Sequence, residues 1–284
     1  MSAPACQPVD YASGWQALLH LGCGPRLGAS RLLRRRHVGP LTVQKPLYPE
    51  GPELCHCVIL HPPGGIVGGD RLEIQLQVDA GARLLATTPG AGKWYRSLGP
   101  LAEQRLAFSV GDGASLEWLP QENIFFDGAH ARLGGVVSLA AGGRYIGWDV
   151  ACLGRTASGE RFTRGALSTR TEILQAGRRL WGDYARIEGG ARLLHAPAGL
   201  AGYPVMGTLL AAGAELDRSL LDACRAVAAA DGAMVGVTVL PGVLAARYVG
   251  GSTQAARSYF VALWRILRPV LVGREACAPR IWNT

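Results

Sequence analysis

The segment Arg71-Leu-Glu-Ile-Gln-Leu-Gln-Val78 decides the fold class, because apolar and polar side chains alternate along it without interruption. Successive side chains of an extended strand point to opposite faces, so the apolar set from Leu72 to Val78 covers one face of a half-buried strand. The turn residues Asp79-Ala-Gly81 follow, and residues 82–88 form a second apolar strand pattern. We therefore predict a β-hairpin at residues 71–88.

Strand patterns recur along most of the chain, whereas helix patterns occur only near its end. Asp217 is predicted to cap a first helix with Gly232 just past its end, and Ser252 a second helix that Pro269 terminates. Because no helices separate the strands, antiparallel pairing is favoured over βαβ units. The predicted fold is mainly β, a large antiparallel two-layer β-sheet structure with two C-terminal α-helices in a single domain, residues 1–284. Further strands are predicted at residues 54–60, 101–110, 115–119, 131–139 and 144–150, with hairpins at residues 166–187 and 234–248.

The composition excludes disorder and argues against nucleic acid as a partner. Of the 284 residues, 49% are hydrophobic and 18% are charged, which is ample apolar material for a core. The formal net charge is +8, and all but two of the 29 basic residues are arginines. The densest basic run, residues 31–37, lacks the interleaved aromatic residues that stack on RNA bases. Nucleic-acid binding is therefore not predicted.

The cysteines and the apolar stretches indicate a cytoplasmic protein. The seven cysteines are odd in number and thinly spread, unlike a secreted disulfide framework, and no signal-peptide pattern opens the chain. Residues 193–214 carry no Asp, Glu, Lys or Arg and are long enough to span a bilayer. Pro197, Pro204 and four glycines would leave backbone groups unpaired in lipid, so this stretch is predicted to be a buried strand with its approach loop.

Two glycine-rich segments are unusual. Residues 61–70 (HPPGGIVGGD) lack the Gly-Lys-Ser/Thr of a phosphate loop and precede a strand, so they predict a tight turn capped by Asp70. Residues 87–97 contain Lys93-Trp94-Tyr95-Arg96, which is either a cationic, aromatic surface for a partner protein or a solvated loop. The residues alone leave both alternatives open.

No motif for nucleophilic catalysis or for a closed metal site is present in the sequence. Cys55-His56-Cys57 lies on a predicted strand, where the cysteines and the histidine point to opposite faces and cannot share one ion. Carboxylates among apolar neighbours could line a polar channel or pair with arginines, because a buried acid is costly unless it is paired or hydrated. These carboxylates are Asp70, Glu122, Asp127, Asp149, Glu160 and Asp183.

Six blocks in order along the chain resemble the UreD family of urease accessory proteins, called UreH in some organisms. They are residues 44–50, 61–70, 87–97, 119–129, 153–162 and 279–282. The resemblance implies a β-rich sheet structure with two helices, which agrees with the strand patterns above. Residues 1–16 carry no family signal and are candidates for a flexible segment.

The resemblance also implies a function. Family members are chaperone-like proteins rather than enzymes; they bind apo-urease and, with UreF and the GTPase UreG, which sits on UreF, deliver nickel to the urease active site through an internal polar tunnel. It implies no permanently bound cofactor, only transient nickel. A pure docking scaffold that bridges urease and UreF without passing nickel is the alternative. A β-sheet hydrolase is a third hypothesis, which no nucleophile supports.

By family position, the resemblance implies two sets of site residues. The implied tunnel lining is Asp70, Glu73, Thr87, Thr88, Asp149 and Asp183, with Glu160 as a further candidate. The expected partner-binding residues are Lys93, Trp94, Tyr95, Arg96, Arg280 and Trp282.

Overall fold

The computed structural model describes residues 14–230 and 232–283, so most of the predicted flexible segment, residues 1–13 of 1–16, lies outside the described residues. The strands are β1 (Gln16–Arg26), β2 (Ala29–Val38), β3 (Thr42–Val43), β4 (Cys55–Leu60), β5 (Arg71–Val78), β6 (Arg83–Thr87), β7 (Gly92–Trp94), β8 (Ala102–Val110), β9 (Ser115–Trp118), β10 (Asn123–Phe125), β11 (His130–Leu139), β12 (Arg144–Leu153), β13 (Ala166–Gln175), β14 (Arg178–Glu188), β15 (Val205–Ala212), β16 (Met234–Leu240) and β17 (Val243–Gly250). The helices are α1 (Arg218–Arg225) and α2 (Thr253–Val272), with short 3₁₀ turns at Thr156–Ser158, Arg192–Leu194 and Arg280–Asn283.

The strands form two facing mixed sheets. The seven-stranded sheet has the order β14-β13-β11-β8-β5-β1-β2, and the ten-stranded sheet runs β16-β17-β15-β12-β9-β6-β4-β3, with β7 and β10 attached beside β12. From β4 to β13 the chain passes repeatedly from one sheet to the other, and strands of successive coils pair in parallel. This is a β-solenoid. The prediction of a mainly β fold with two helices is confirmed, but that of a purely antiparallel structure is wrong.

The predicted hairpin at residues 71–88 shows why antiparallel pairing was wrongly predicted. Strand β5 pairs with β1 and β8, whereas β6 pairs with β4 and β9 in the other sheet. The turn that begins at Asp79 is hydrogen-bonded to distant parts of the chain, from Asp79 N to Cys23 O in β1 and from Gly81 N to Asp112 O in the turn after β8. Period-2 alternation reports which face of a strand is buried, but it does not report the direction of the neighbouring strand.

The C-terminal hairpins and both helix caps were predicted correctly. Strands β13 and β14 pair antiparallel, as do β16 and β17. Asp217 accepts a hydrogen bond from the Leu220 amide and Ser252 one from the Ala255 amide. Both predicted helix ends were wrong. Helix α1 ends at Arg225, well before Gly232, and α2 continues past Pro269 to Val272, because its last turn keeps Leu271 and Val272 buried.

Two apolar cores hold the layers together. One lies between the sheets and includes Leu19, Ile74 and Leu116. In the other, α1 and α2 pack on the outer face of the ten-stranded sheet. Strand β15 has a core on each face, which explains the uncharged stretch at residues 193–214. Within the described part of the chain, no helix has both the length and the apolar composition needed to cross a membrane.

A buried ionic cluster fixes α2 to the ten-stranded sheet. Arg268 is 0% exposed and donates to Glu117 Oε1 at 2.9 Å and to Glu50 Oε2 at 2.7 Å. Glu50 also contacts the His56 ring at 2.7 Å, and Trp264 donates to Glu117 Oε1 at 2.6 Å. Burial opposes ionisation of Glu50, but hydrogen bonds from His56 and Arg268 outweigh it and hold the pKa of Glu50 at about 2. The cluster joins α2 to β9 and to the segment before β4.

Removing the central cation of this cluster should strongly destabilise the fold. Arg268→Met leaves two buried carboxylates without their partner, and we expect the free energy of unfolding to fall by about 3–5 kcal/mol. Arg265→Met, a change at an exposed position of the same helix, should stay within about 0.5 kcal/mol. Urea titrations of both variants check this. Equal effects of the two changes would contradict a structural role of the cluster.

Candidate functional site: a polar passage between the sheets

The middle of the seven-stranded sheet leaves space on its inner face. The parallel register aligns Gln104 with Leu133 and Thr169, and the next inward row aligns Gly135 with Thr171 and, on β14, Asp183. A Cβ atom at Gly135 would meet nothing closer than Leu106 Cβ at 3.9 Å, so no side chain fills this position. Small and polar residues at mid-strand, in line across several coils, open a lumen that runs across the strands.

The ten-stranded sheet supplies the opposite wall with a polar row of its own. Asp149 on β12 is paired with Thr208 on β15, and Thr208 with Arg247 on β17. Residues directly opposite in antiparallel strands share a face, so all three side chains point toward the lumen. Trp118 lies on the same wall, and no described residue accepts from its indole N–H.

Two neighbouring cavities occupy this space. One of about 120 Å³ extends toward Asp183 and Arg247, and the other of about 210 Å³ extends toward His61 and Thr88. Each has room for several water molecules. Because the cavities share part of their lining, they lie side by side between the sheets, and we call the two together the passage. The shared residues are Gln104, Leu106, Trp118, Asn123 and Asp149.

Asp149 is the central polar group of the passage. Protein atoms surround it, yet its side chain keeps accessible surface, because that surface faces the cavities. Among the described residues none donates a hydrogen bond to its carboxylate, and burial raises the pKa of Asp149 to about 7. A buried carboxylate in a cavity that can hold water is satisfied by water or by a cation.

The two glycine-rich segments form the wider end of the passage. Backbone bonds join Ile66 to Lys93 and to Tyr95, so the segments run side by side. A Cβ at Gly65 would lie 2.0 Å from the Tyr95 ring, and one at Gly68 would lie 2.2 Å from a hydroxyl in the facing segment, which explains why glycine occupies both positions. Burial lowers the pKa of His61, which therefore lines this end as a neutral ring.

An arginine lies at the opposite end. Arg247 donates to Asp183 Oδ2 and to Thr208 Oγ1, each at 2.7 Å, and its guanidinium carbon lies 5.5 Å from the centroid of the Trp181 ring. Since Arg247 belongs to the ten-stranded sheet and Asp183 to the other, this ion pair bridges the two sheets across the lumen.

The structure brings only part of the implied tunnel set together. Thr88, Asp149 and Asp183 line the passage. Asp70 is 4% exposed and accepts hydrogen bonds from the amides of Trp15 and Val67 at 2.8 and 2.9 Å, so it caps the turn at residues 61–70.

Glu73, Thr87 and Glu160 also lie outside the passage. Glu73 is on the outer face of β5, where it accepts from Gln75. The Thr87 hydroxyl donates to Leu119 O and accepts from Trp282 on the helix side of the ten-stranded sheet. Glu160 pairs with Arg155 beside a separate pocket of about 500 Å³.

The expected partner-binding residues divide by exposure. Lys93, Arg96 and Arg280 project into solvent. Trp94 is 1% exposed and stacks on Phe125, and the Tyr95 ring packs edge-on against Phe126. The remaining residue, Trp282, contacts the rings of Trp148 and Trp264 at centroid distances of 5.7 and 5.9 Å.

Sequence reasoning missed several residues of the lumen, among them Gln104, Thr208 and Arg247. Two signals pointed to them: the paired glycines Gly134-Gly135 inside a strand pattern, and a single charged residue within the apolar strand β17. Cys55 and Cys57 lie in the core between the sheets, while His56 points the other way to Glu50, as the strand argument predicts. Among residues 14–230 and 232–283, no group of three His, Cys, Asp or Glu side chains could hold a metal ion.

Comparisons with known proteins agree on one family. A family model described as UreD urease accessory protein matches residues 16–283. A urease accessory protein UreD of Dechloromonas aromatica (strain RCB) is 53% identical over 99% of this chain and 98% of its own length. Those of Azoarcus sp. (strain BH72) and Nitrosococcus oceani are 52% and 50% identical, each over at least 95% of both chains. As the sequence motifs predict, the chain belongs to the UreD urease accessory protein family, whose members are non-catalytic factors of urease maturation.

Proposed function

We propose that this protein passes nickel to apo-urease through the lumen between its two sheets. The observation that carries the proposal is Asp149, a carboxylate without a described protein donor that lines both of two neighbouring cavities. We further propose, from the family resemblance, that UreF docks against this chain, that the GTPase UreG binds through UreF, and that apo-urease receives the ion. In this proposal nickel is transient cargo.

The lining suits an ion that must be released again. One carboxylate, Asp149, is accompanied by neutral oxygen groups such as those of Thr208 and Gln104. Oxygen ligands of this kind leave a divalent ion partly hydrated, whereas a cluster of thiolates or imidazoles would retain nickel. The unpaired indole N–H groups of Trp118 and Trp181 are donors for water, which favours a wet lumen.

The docking scaffold is the alternative, and the exposure of Lys93, Arg96 and Arg280 favours it, because exposed cations suit a polar interface rim. In that function the chain only bridges urease and UreF, and the lumen has no role. The two functions differ in what happens when the lumen is blocked while the outer surface stays unchanged.

Blocking the lumen should abolish activation without disturbing assembly. We expect Gly135→Phe, which fills the inner row, and Asp149→Asn, which removes the charge, to reduce urease activation severalfold at limiting nickel. Gly134→Phe is the matched control, because Gly134 faces outward and a Cβ there meets no atom within 4 Å. Urease activity in cells and co-purification with UreF and urease are measured for each variant.

The control makes the two functions separable. Normal activation by both Gly135→Phe and Asp149→Asn would contradict transport through the lumen and leave the scaffold. A loss of urease activation that occurs only in variants that no longer co-purify with UreF and urease would also contradict transport and favour the scaffold.

Asp149 also predicts how stability depends on pH. Its pKa of about 7 in the folded chain lies above the value of about 4 in an unfolded chain. The folded state therefore binds the extra proton, and the contribution of this group to stability is lost as pH rises between these values. Relative to Asp149→Asn, the wild-type free energy of unfolding should fall over this range, as urea titrations at several pH values can show. If the free energies of unfolding of the two proteins change in parallel with pH, the raised pKa is not that of Asp149.

Nickel binding gives a second test of Asp149. Ni²⁺ added at about pH 8 should stabilise the wild type but not Asp149→Asn.

A further inference from the structure

The positive charge of Arg247 is unexpected in the lining of a passage for a cation. Its guanidinium is always protonated and lies at the lumen end where a cation would have to enter or leave. A fixed positive charge in a confined, partly desolvated space repels Ni²⁺ more strongly than the same charge would in bulk water. The arginine also occupies the carboxylate of Asp183, one of the two acidic groups that line this cavity. As long as this ion pair holds, the end of the passage is closed to cations by both charge and bulk.

The closing ion pair is placed where a partner can reach it. Arg247 and Asp183 keep 43% and 32% of their side-chain surface exposed, so solvent screens the pair and it is weakly held. The ten-stranded sheet extends one strand beyond Arg247, and Gly236 on that edge strand is the residue directly across. A Cβ at Gly236 would meet no atom within 4 Å, so the edge strand leaves an open slot beside the partly exposed Arg247.

Part of the rim of the slot is apolar. Met234 and Thr238 flank Gly236 on the same side of β16, and Leu240 is the next residue on that side; Met234 and Leu240 are 41% and 42% exposed. Met and Arg are enriched in protein interfaces, so an exposed Met234 near Arg247 suits a docking surface. The charge of Arg247 selects the partner's chemistry, because an arginine fork binds carboxylates and phosphates bidentately, and the acidic group of an unmodified protein partner is a carboxylate.

We propose that Arg247 is the gate at this end of the passage, and that a carboxylate of a docked partner protein, entering over Gly236, draws its guanidinium away from Asp183. This inference rests on the proposed function. The exchange replaces one carboxylate partner of Arg247 by another, so it needs no large net free energy. It removes the positive charge from the lumen and frees Asp183, so that two carboxylates, Asp183 and Asp149, then attract the cation. The passage would therefore open only while the partner is in place.

Opening can be measured without nickel by labelling a cysteine in the lumen. Gly135→Cys places a thiol in the inner row, where a Cβ fits at 3.9 Å from its nearest neighbour. The cationic reagent aminoethyl methanethiosulfonate should label it slowly, and severalfold faster when Arg247→Ala is added. Arg247→Lys, which keeps the charge, should remain slow, and Arg105→Ala on the outer sheet face is the matched control. Mass spectrometry of the peptide that contains position 135 separates this thiol from the native cysteines.

Charge selectivity distinguishes a gate from a merely structural arginine. If Arg247→Ala only loosened the fold, it would raise the labelling rate of the anionic reagent sulfonatoethyl methanethiosulfonate as much as that of the cationic one. We expect a larger rise in the labelling rate of the cationic reagent. Equal rises for the two reagents, or no rise for the cationic reagent, would overturn the proposal that Arg247 is a gate.

A second variant tests the approach of the partner. Gly236→Val fills the slot without touching the ion pair, so urease activation in cells should fall severalfold while labelling of the isolated chain stays at the wild-type rate. Gly134→Val, the same change on the outer face of β11, should activate normally. Normal activation by Gly236→Val would overturn entry of a partner carboxylate over Gly236. The labelling result stands apart from nickel transport: if the lumen-blocking variants activate normally, the proposed function fails, while the labelling still decides the gate.

Discussion

The in-register stacking of parallel coils is the constraint on which the rest of the structure depends. Each inward position of one coil lies beside the same position of the next, so a residue type repeated at mid-strand becomes a row across the sheet. On β1 and β5 the inward residues are large and apolar, such as Leu19 and Ile74, and they build the core between the sheets. Rows of small and polar residues around Gly135 build the lumen. An antiparallel meander could hold the same side chains, but a shift of one residue in a single pair would interrupt the row.

The cavities remove apolar contacts from the middle of the protein, and the helix side of the ten-stranded sheet compensates for them. There α2 buries a continuous apolar face against strands such as β12 and β15. The cluster around Arg268 fixes the angle of that helix, because a buried charge without its partners is strongly destabilising. The interior and the helix layer are therefore complementary: in the helix layer Arg268 is paired with Glu50 and Glu117, whereas no described residue donates a hydrogen bond to Asp149 in the interior.

The sequence predicted the strands and their buried faces well, because alternation is a local property that residues 71–78 show by themselves. It did not predict parallel pairing, because turns such as that at Asp79 bond to parts of the chain that are distant in sequence. The same limit applied to the site. Asp149 and Asp183 were identified with Asp70 among acidic residues in apolar surroundings. Only the folded chain distinguishes Asp70, which two backbone amides satisfy, from Asp149, which faces a cavity.

If nickel passes through the lumen as proposed, the pairing of Arg247 with Asp183 reconciles two conflicting requirements. Carboxylates along the route are needed to attract the ion, but carboxylates at an open rim would collect cations at all times. A cation supplied by the protein itself, held by a partly exposed pair, neutralises the rim acid while no partner is present. Asp149 needs no such partner, because burial already keeps it protonated below about pH 7. Burial therefore keeps Asp149 neutral, and Arg247 neutralises the charge of Asp183. Deprotonation of Asp149 and movement of Arg247 can each occur without unfolding the sheets.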